Sequence, residues 1–478
     1  MWIGGHWLSA ASGQTFTTVN PATGAEIARV PLGAAEDVAR AVAAARQAFP
    51  LWSQKPQAER CQILSRIAVA LSEAQAEIAK LDVLEHGTPI EWANIFASVS
   101  PGHFEYMAQA SRALLGNVVP TPQNTLFYLQ REPMGVCALI TPWNVPLMMV
   151  TAKLAPALAM GNTCVVKPPS INSLTALKFA EILEKIGLPP GTVNVITGPG
   201  GSVGAALAAH PGVDMISFTG SAETGKAIMA AASGTVKRLA LELGGKNPFI
   251  VLDDADMEAT VAMAVSCLYR NTGQICASPG RFYIHRKLHD EFLARFIAGT
   301  EKLVVGDPND PKTEMGPVVS AEHRQRVEGY IATGIKEGAK LLLGGKRPTQ
   351  PPLDKGFYVM PTIFSGITPK MTIAREEIFG PVACFMEPFD SDEEVIALAN
   401  DNSYGLSASV WTRNAPRGIM MANQIRAGAV WINDHMVIGA ELPWGGYKES
   451  GFGRENGVLG LEEFSQVKLI SLNLDVKG

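Results

Sequence analysis

VCALITPWNVPLMMVTAKLAPALAMGNTCVVK, residues 136–167, is the stretch whose reading decides the fold. Val136–Ile140 is a continuous apolar run, which is how a strand covered on both faces reads. Pro142, Asn144 and Pro146 then punctuate a turn, an apolar helix runs to Met160, and Thr163–Lys167 is a second strand. The unit repeats downstream. Pro168-Pro169-Ser170 leads into a helix over 173–186. Val193–Ile196 is a third strand ending in Thr197-Gly-Pro-Gly-Gly-Ser202, and Asp214–Phe218 is a fourth ending in Thr219-Gly-Ser-Ala-Glu-Thr-Gly225 before another helix. Repeated strand–turn–helix units predict an α/β fold with a doubly wound parallel sheet, whose ligands sit at the carboxyl ends of the strands.

Outward from this centre, residues 1–30 read as short strands and turns, with Asn20–Gly24 a turn signal. Residues 34–112 read as helical. One helix there extends from Glu59 to Leu84, with Ile63, Ile67, Ala70 and Leu71 on its core stripe. Later elements are strands at 249–252 and 281–284, helices through Ile297 and over 327–338, and an extended segment at 356–364. Helical stretches at 395–398 and 422–425 precede a strand at 429–433. Asn124–Arg131 reads as a strand, and Lys468–Val476 alternates apolar and polar residues at period two. That tail needs a sheet, either the 124–131 strand of its own chain or an edge in another subunit. An exposed edge of this kind points to an oligomer.

At 478 residues the chain exceeds one core, so two or three structural units are expected. A net charge of −5 without any basic run excludes a nucleic-acid footprint. Six cysteines lie without paired spacing and no C-x-x-C occurs, which argues against disulfides and metal and for a reducing, cytoplasmic setting. No signal-peptide pattern is read at the N-terminus. The longest apolar run, 136–160, is interrupted by Pro142, Asn144, Pro146, Lys153 and Pro156, so no membrane span is expected.

The chemistry concentrates in Asn271-Thr-Gly-Gln-Ile-Cys276-Ala-Ser-Pro-Gly-Arg281, where a turn presents one cysteine. Glu242 is a single carboxylate in an apolar strand. Desolvation would raise its pKa and suit it to act as a general base, the alternative being a salt bridge to Lys246 or Arg238. Gly198–Gly204 has the wrong spacing for a dinucleotide fingerprint. Gly220 and Gly225 bracket a strand-to-helix turn whose free N–H groups could meet a pyrophosphate, and Lys167 ends the neighbouring strand.

Together these residues resemble the aldehyde dehydrogenase superfamily from end to end. The motifs are Pro142-Trp-Asn-Val-Pro146, Gly161-Asn with Val165-Val-Lys-Pro168, Phe218-Thr-Gly-Ser221 leading to Gly225, Leu241-Glu-Leu-Gly-Gly-Lys246, Gly273-Gln-Ile-Cys276, Glu377-Ile-Phe-Gly-Pro381, and Pro443 through Arg454. The resemblance implies the hydrolytic, NAD(P)-dependent class. There, Cys276 attacks the aldehyde, and the Asn144 amide with the Cys276 N–H holds the oxyanion. Hydride leaves for the nicotinamide, and Glu242 activates the water that hydrolyses the thioester. Lys153 and Glu455 resemble the proton relay.

For the cofactor, NAD or NADP, the resemblance implies Lys167 and Glu377 on the riboses, Trp143, Gly220, Ser221, Gly225 and Leu243 around the pyrophosphate and base, and Phe379 beside the nicotinamide ribose. Ser170 stands where NAD-preferring relatives often carry a glutamate, so NADP tolerance is expected. The substrate tunnel by resemblance is Val145, Met148, Met149, Ala152, Arg270, Ile275, Ala277, Ile438 and Trp444, which suits an aromatic or medium-chain apolar aldehyde. Alternatives are a semialdehyde such as succinic semialdehyde, through Arg270, or a betaine or amino aldehyde, through Trp444. A CoA-acylating relative would usually lack Glu242, and a silent structural homologue would have lost the thiol or the carboxylate. By resemblance, 1–117 and 134–244 form the NAD(P)-binding domain and 245–449 the catalytic domain. Strands at 118–133 and 462–478 would join a homo-oligomer, either dimer or tetramer.

Overall fold

The computed structural model describes residues 1–121 and 124–475. Five parallel strands form the centre of the first sheet. In spatial order they are Val193–Val195, Thr163–Lys167, Val136–Ile140, Met215–Thr219 and Arg238–Glu242. Numbered along the chain this order is 3-2-1-4-5, so the winding reverses between Val136–Ile140 and Met215–Thr219. A crevice opens at such a reversal, beyond the strands' carboxyl ends.

The reason for a buried parallel sheet is visible in the alternation of its side chains. Cys137, Leu139, Cys164 and Val166 face one core, with Leu64, Phe104, Leu154 and Phe179. Val136, Ala138, Ile140 and Val165 face the other, with Val38, Val42 and Leu207. Helices cover both faces, so neither set of alternating residues meets water.

A second sheet of seven strands follows, built mainly from parallel strands that include Asn247–Val251, Pro279–Ile284, Val382–Met386 and Ser407–Trp411. Glu242 ends the last parallel strand of the first sheet and Asn247 begins this one, so Leu243–Lys246 is the joint between the two. Late in the chain, Gly451–Phe452 returns to the first sheet and pairs antiparallel with Leu241 and Glu242. That return carries Glu455 to the joint.

Two expectations change. The helix expected over 59–84 is two helices, Gln57–Glu73 and Gln75–His86, which meet at Ala74. The second of them ends at Gly87, whose φ of +82° supplies the left-handed C-cap that a side chain would disfavour. The extended segment at 356–364 becomes a strand only from Thr362, because Pro361 has no N–H to give a ladder. The tail's partner lies in its own chain. Ser465–Asn473 pairs antiparallel with Thr125–Pro133, and Asn117–Val119 pairs on the other side. Val476, the end of the tail strand expected from the sequence, lies outside the described residues, as do 122–123 and 477–478 of the expected oligomerisation strands. No helix among the described residues is long and apolar enough to cross a membrane.

Candidate active site

Many chain segments converge on one cavity of about 330 Å³ at the joint between the sheets, three of them from turns at strand ends. The turn after Val136–Ile140 supplies Trp143, Asn144 and Val145, and Pro146 starts the helix Pro146–Ala159 at the position where its missing N–H is harmless. Gly220 and Ser221 follow Met215–Thr219. Ser221 caps Ala222–Ala232 by accepting from the Thr224 N–H at 3.2 Å, and Gly220 and Ser221 line the cavity at the start of that helix. Ile275 and Cys276 come from the loop before Pro279–Ile284.

Cys276 is half-buried and its loop is tied down on both sides. Asn247 Nδ2 donates to the Cys276 carbonyl at 2.7 Å and to the Ser278 carbonyl at 2.9 Å, and His435 Nε2 meets the Ala277 carbonyl at 2.8 Å. Burial, with the carboxylates of Glu377, Glu242 and Glu455, pushes the thiol up to about 12. Glu242 is buried, and neither carboxylate oxygen has a hydrogen-bond partner among the described residues. Desolvation, then the like charge of Glu455, raises its pKa well above the usual carboxylate range. The alternative of a structural salt bridge fails here. Arg238 pairs with Glu463, and among the described residues the Lys246 amine bonds to the Cys384 thiol at 3.9 Å and to no carboxylate. Beside Glu242, Lys153 forms a buried ion pair with Glu455, donates to Ser217 Oγ at 3.1 Å, and Thr219 Oγ1 donates to Glu455 at 3.1 Å.

At the other end of the cavity Glu377 accepts from the Gly245 N–H at 2.9 Å, and burial lifts its pKa to about 7. A Cβ on Gly244 would collide with this carboxylate, which explains the glycine pair in the joint. Trp143 meets Phe379 edge-on at 5.2 Å, and Phe379 is held at φ +58° while its carbonyl meets His323 Nε2 at 2.7 Å. Lys167, Ser170 and Gly225 do not line the cavity. Lys167 is buried with its amine on the Pro168 carbonyl, and desolvation lowers it to about 8. Ser170 is half-buried, and Gly225 is buried where a Cβ would strike Leu243.

Most of the expected tunnel is present: Val145, Met148, Met149, Ala152, Arg270, Ile275, Ile438 and Trp444 all line the cavity. Ala277 is the correction. It does not line the cavity, because it is fully buried in a packed cluster with Leu406 and Trp444. Trp92, Phe96 and Val99 also line the cavity, unannounced by the motifs. Their spacing on Ile90–Ala113 is an apolar helical stripe, indistinguishable from core packing in sequence. Met436 and His323 were likewise missed. The Arg270 guanidinium lies 4.1 Å over the Trp92 ring. Among the described residues no carboxylate forms an ion pair with it, and its buried Nε has no partner.

The crevice, the Gly220–Ser221 turn and the free Glu242 carboxylate oxygens fit a dinucleotide beside a reacting carbonyl, which defines an oxidoreductase-type site. Known proteins agree. The sequence model described as the aldehyde dehydrogenase family matches residues 7–470, and the chain belongs to that family. It is an NAD(P)-dependent aldehyde dehydrogenase. It is 45% identical to the betaine aldehyde dehydrogenase of Bacillus subtilis (strain 168), over 99% of this chain and 97% of that one. The betaine aldehyde dehydrogenase of Staphylococcus aureus, crystallised in complex with NAD+, superposes with a TM-score of 0.98 at 39% identity, covering 100% of this chain and 95% of that chain. PnpE from Pseudomonas sp. WBC-3 gives 0.97 at 41% identity, covering 100% and 98%.

Proposed function

We propose that the chain oxidises an aldehyde bearing an anionic group to its carboxylic acid through a thioester on Cys276. The observation that carries the substrate reading is Arg270, a cation that lines the cavity, is stacked on Trp92 and has no ion-paired carboxylate among the described residues. A desolvated guanidinium favours a carboxylate partner strongly, because few water molecules compete for it. The aromatic or medium-chain apolar aldehyde expected from the sequence suits the walls but leaves this cation unmatched.

In the reaction, the Cys276 thiol gives its proton to water, the thiolate Sγ adds to the aldehyde carbon as the carbonyl π bond opens, and the negative charge gathers on the former carbonyl oxygen. Asn144 Nδ2 and the Cys276 N–H donate to that oxygen. Lys167, Glu377, Trp143, Phe379, Leu243 and the Gly220–Ser221 turn would hold the dinucleotide, which accepts the hydride when bound. Glu242 then takes a proton from the water that hydrolyses the thioester, a role helped by its unpartnered oxygens. The Lys153–Glu455 pair, next to Glu242 and bonded to Ser217 and Thr219, passes that proton on.

A second substrate reading, betaine aldehyde, is supported by the names of the relatives and by Trp444 stacked on Trp431 at 6.1 Å. It brings a quaternary ammonium toward Arg270. An aldehyde panel run on the unaltered protein and on Arg270→Met separates the two. Succinic semialdehyde should lose about ten- to a hundredfold in kcat/KM, the value of a charge-assisted hydrogen bond, while benzaldehyde holds steady. If betaine aldehyde is the best substrate of the unaltered protein, the anionic reading fails.

The homo-oligomer belongs here as well. Val467, Leu469 and Leu472 are each more than half exposed on the strand paired with Thr125–Pro133, an apolar ribbon that a second copy would cover. A monomeric mass by light scattering at micromolar concentration would remove that reading.

A further inference from the structure

We infer that Thr88 and Asn271 are positioning residues that aim the Asn144 amide at the reacting carbonyl, an inference that rests on the oxyanion role proposed for Asn144. Three consecutive residues before Cys276 are left-handed: Asn271 at φ +51°, Thr272 at +59° and Gly273 at +73°. Two of them carry side chains, and one is β-branched, so the turn is strained and persists only because its surroundings over-determine it. A closed ring of hydrogen bonds does so. Asn271 Nδ2 donates to the Asn144 carbonyl at 2.8 Å, Asn144 Nδ2 donates to the Gln274 carbonyl at 3.0 Å, and Gln274 Nε2 donates back to the Asn271 carbonyl at 3.0 Å. The ring is anchored where Gln274 Oε1 accepts from the Val319 N–H at 2.9 Å and Thr272 Oγ1 donates to Gly316 at 3.1 Å.

An amide nitrogen carries two hydrogens. The ring occupies one on Asn144, and the direction of the other follows from where the ring holds the first. The ring works only if Asn271 presents its NH₂, not its oxygen, to Asn144. Thr88 decides that, since Thr88 Oγ1 donates to Asn271 Oδ1 at 3.2 Å. Having given its only proton, the Thr88 oxygen accepts from His86 Nδ1 at 2.7 Å, and the Asp82 carboxyl, which burial lifts to about 7, also bonds to Thr88 and does so as a donor in its protonated form. Burial lowers the His86 pKa to about 3, so the ring is neutral, its proton sits on Nδ1 and its Nε2 is left without a partner. Thr88 itself is buried and follows the left-handed Gly87, so the end of Gln75–His86 sets the Asn144 orientation from outside the cavity.

The test separates aiming from general loosening of the loop. Alkylation of Cys276 by iodoacetamide forms no oxyanion, whereas the first NADH turnover with propanal does. Thr88→Val should slow that first turnover about ten- to a hundredfold, less than the roughly 10²–10³-fold of deleting an oxyanion donor outright, and leave alkylation at fixed pH unchanged. Thr88→Ser, which keeps the hydroxyl, should restore the turnover. An unslowed first turnover in Thr88→Val, or alkylation slowed in step with it, overturns the inference. If Thr88→Val does not fold, Thr88→Ala and Thr88→Ser are compared, and equal rates overturn it. Asn144→Ala is measured alongside. A normal first turnover in Asn144→Ala sinks the oxyanion reading itself, whereas a slow Asn144→Ala with a normal Thr88→Val sinks only the positioning.

Discussion

The floor of the cavity and its mouth are built on different principles. At the floor, Cys276 and Asn144 sit on tied-down loops beside the buried Glu242, and two ionisable groups are displaced upward, Cys276 by burial with the charges of Glu377, Glu242 and Glu455, and Glu242 by burial with the charge of Glu455. At the mouth, Trp92, Phe96, Met148, Met149 and Ile438 offer apolar walls around the Arg270 guanidinium. On the reading proposed above, the floor moves charge and protons, and Arg270 at the mouth selects which aldehyde enters.

The contrast can be broken or sharpened by substitution. At the floor, Glu242→Gln should lower steady-state turnover by about 10²–10⁴-fold, the usual reach of a general base, while the first turnover of NADH persists. Loss of both together would make Glu242 the base for attack rather than for hydrolysis. Next in size is the pH response of the nucleophile. With its pKa pushed up to about 12, Cys276 in cofactor-free protein is a thiol at neutral pH. Its alkylation should therefore rise about tenfold per pH unit through the alkaline range as thiolate forms. A plateau near neutrality would contradict the burial argument. Smallest is the cofactor preference. Ser170 brings no carboxylate, so NADP should retain more than about a thousandth of the kcat/KM of NAD, and Ser170→Glu should lower the NADP value about tenfold by like-charge repulsion. An unchanged NADP value in that variant places the 2′-phosphate elsewhere.

How much was legible in the sequence follows the same division. The strands 136–140 and 163–167 were readable because full burial demands unbroken apolar runs, and the motif residues were readable because turns at strand ends use few residue types. Glu455 reached the floor through a motif, but the cause is the return of Gly451–Phe452 to pair beside Glu242, a contact no local pattern announces. Trp92 and Phe96 were hidden because a helix facing a cavity and a helix facing a core carry the same stripe. Ala277, adjacent to Cys276 in sequence, is fully buried beside Leu406 and Trp444 and does not line the cavity, which adjacency in sequence does not reveal. Thr88 carries no motif at all, and its meaning appears only when 183 residues of separation close to one hydrogen bond.

The central claim is that the floor forms an acyl-thioester on Cys276 which Glu242 releases, and intact mass of Glu242→Gln mixed with aldehyde and NAD tests it most directly. The account predicts a protein heavier by the acyl group, with the added mass on the peptide containing Cys276 and absent when Cys276→Ala is introduced as well. An unmodified Glu242→Gln protein that has nonetheless reduced NAD, or an acyl group found on another residue, would contradict it.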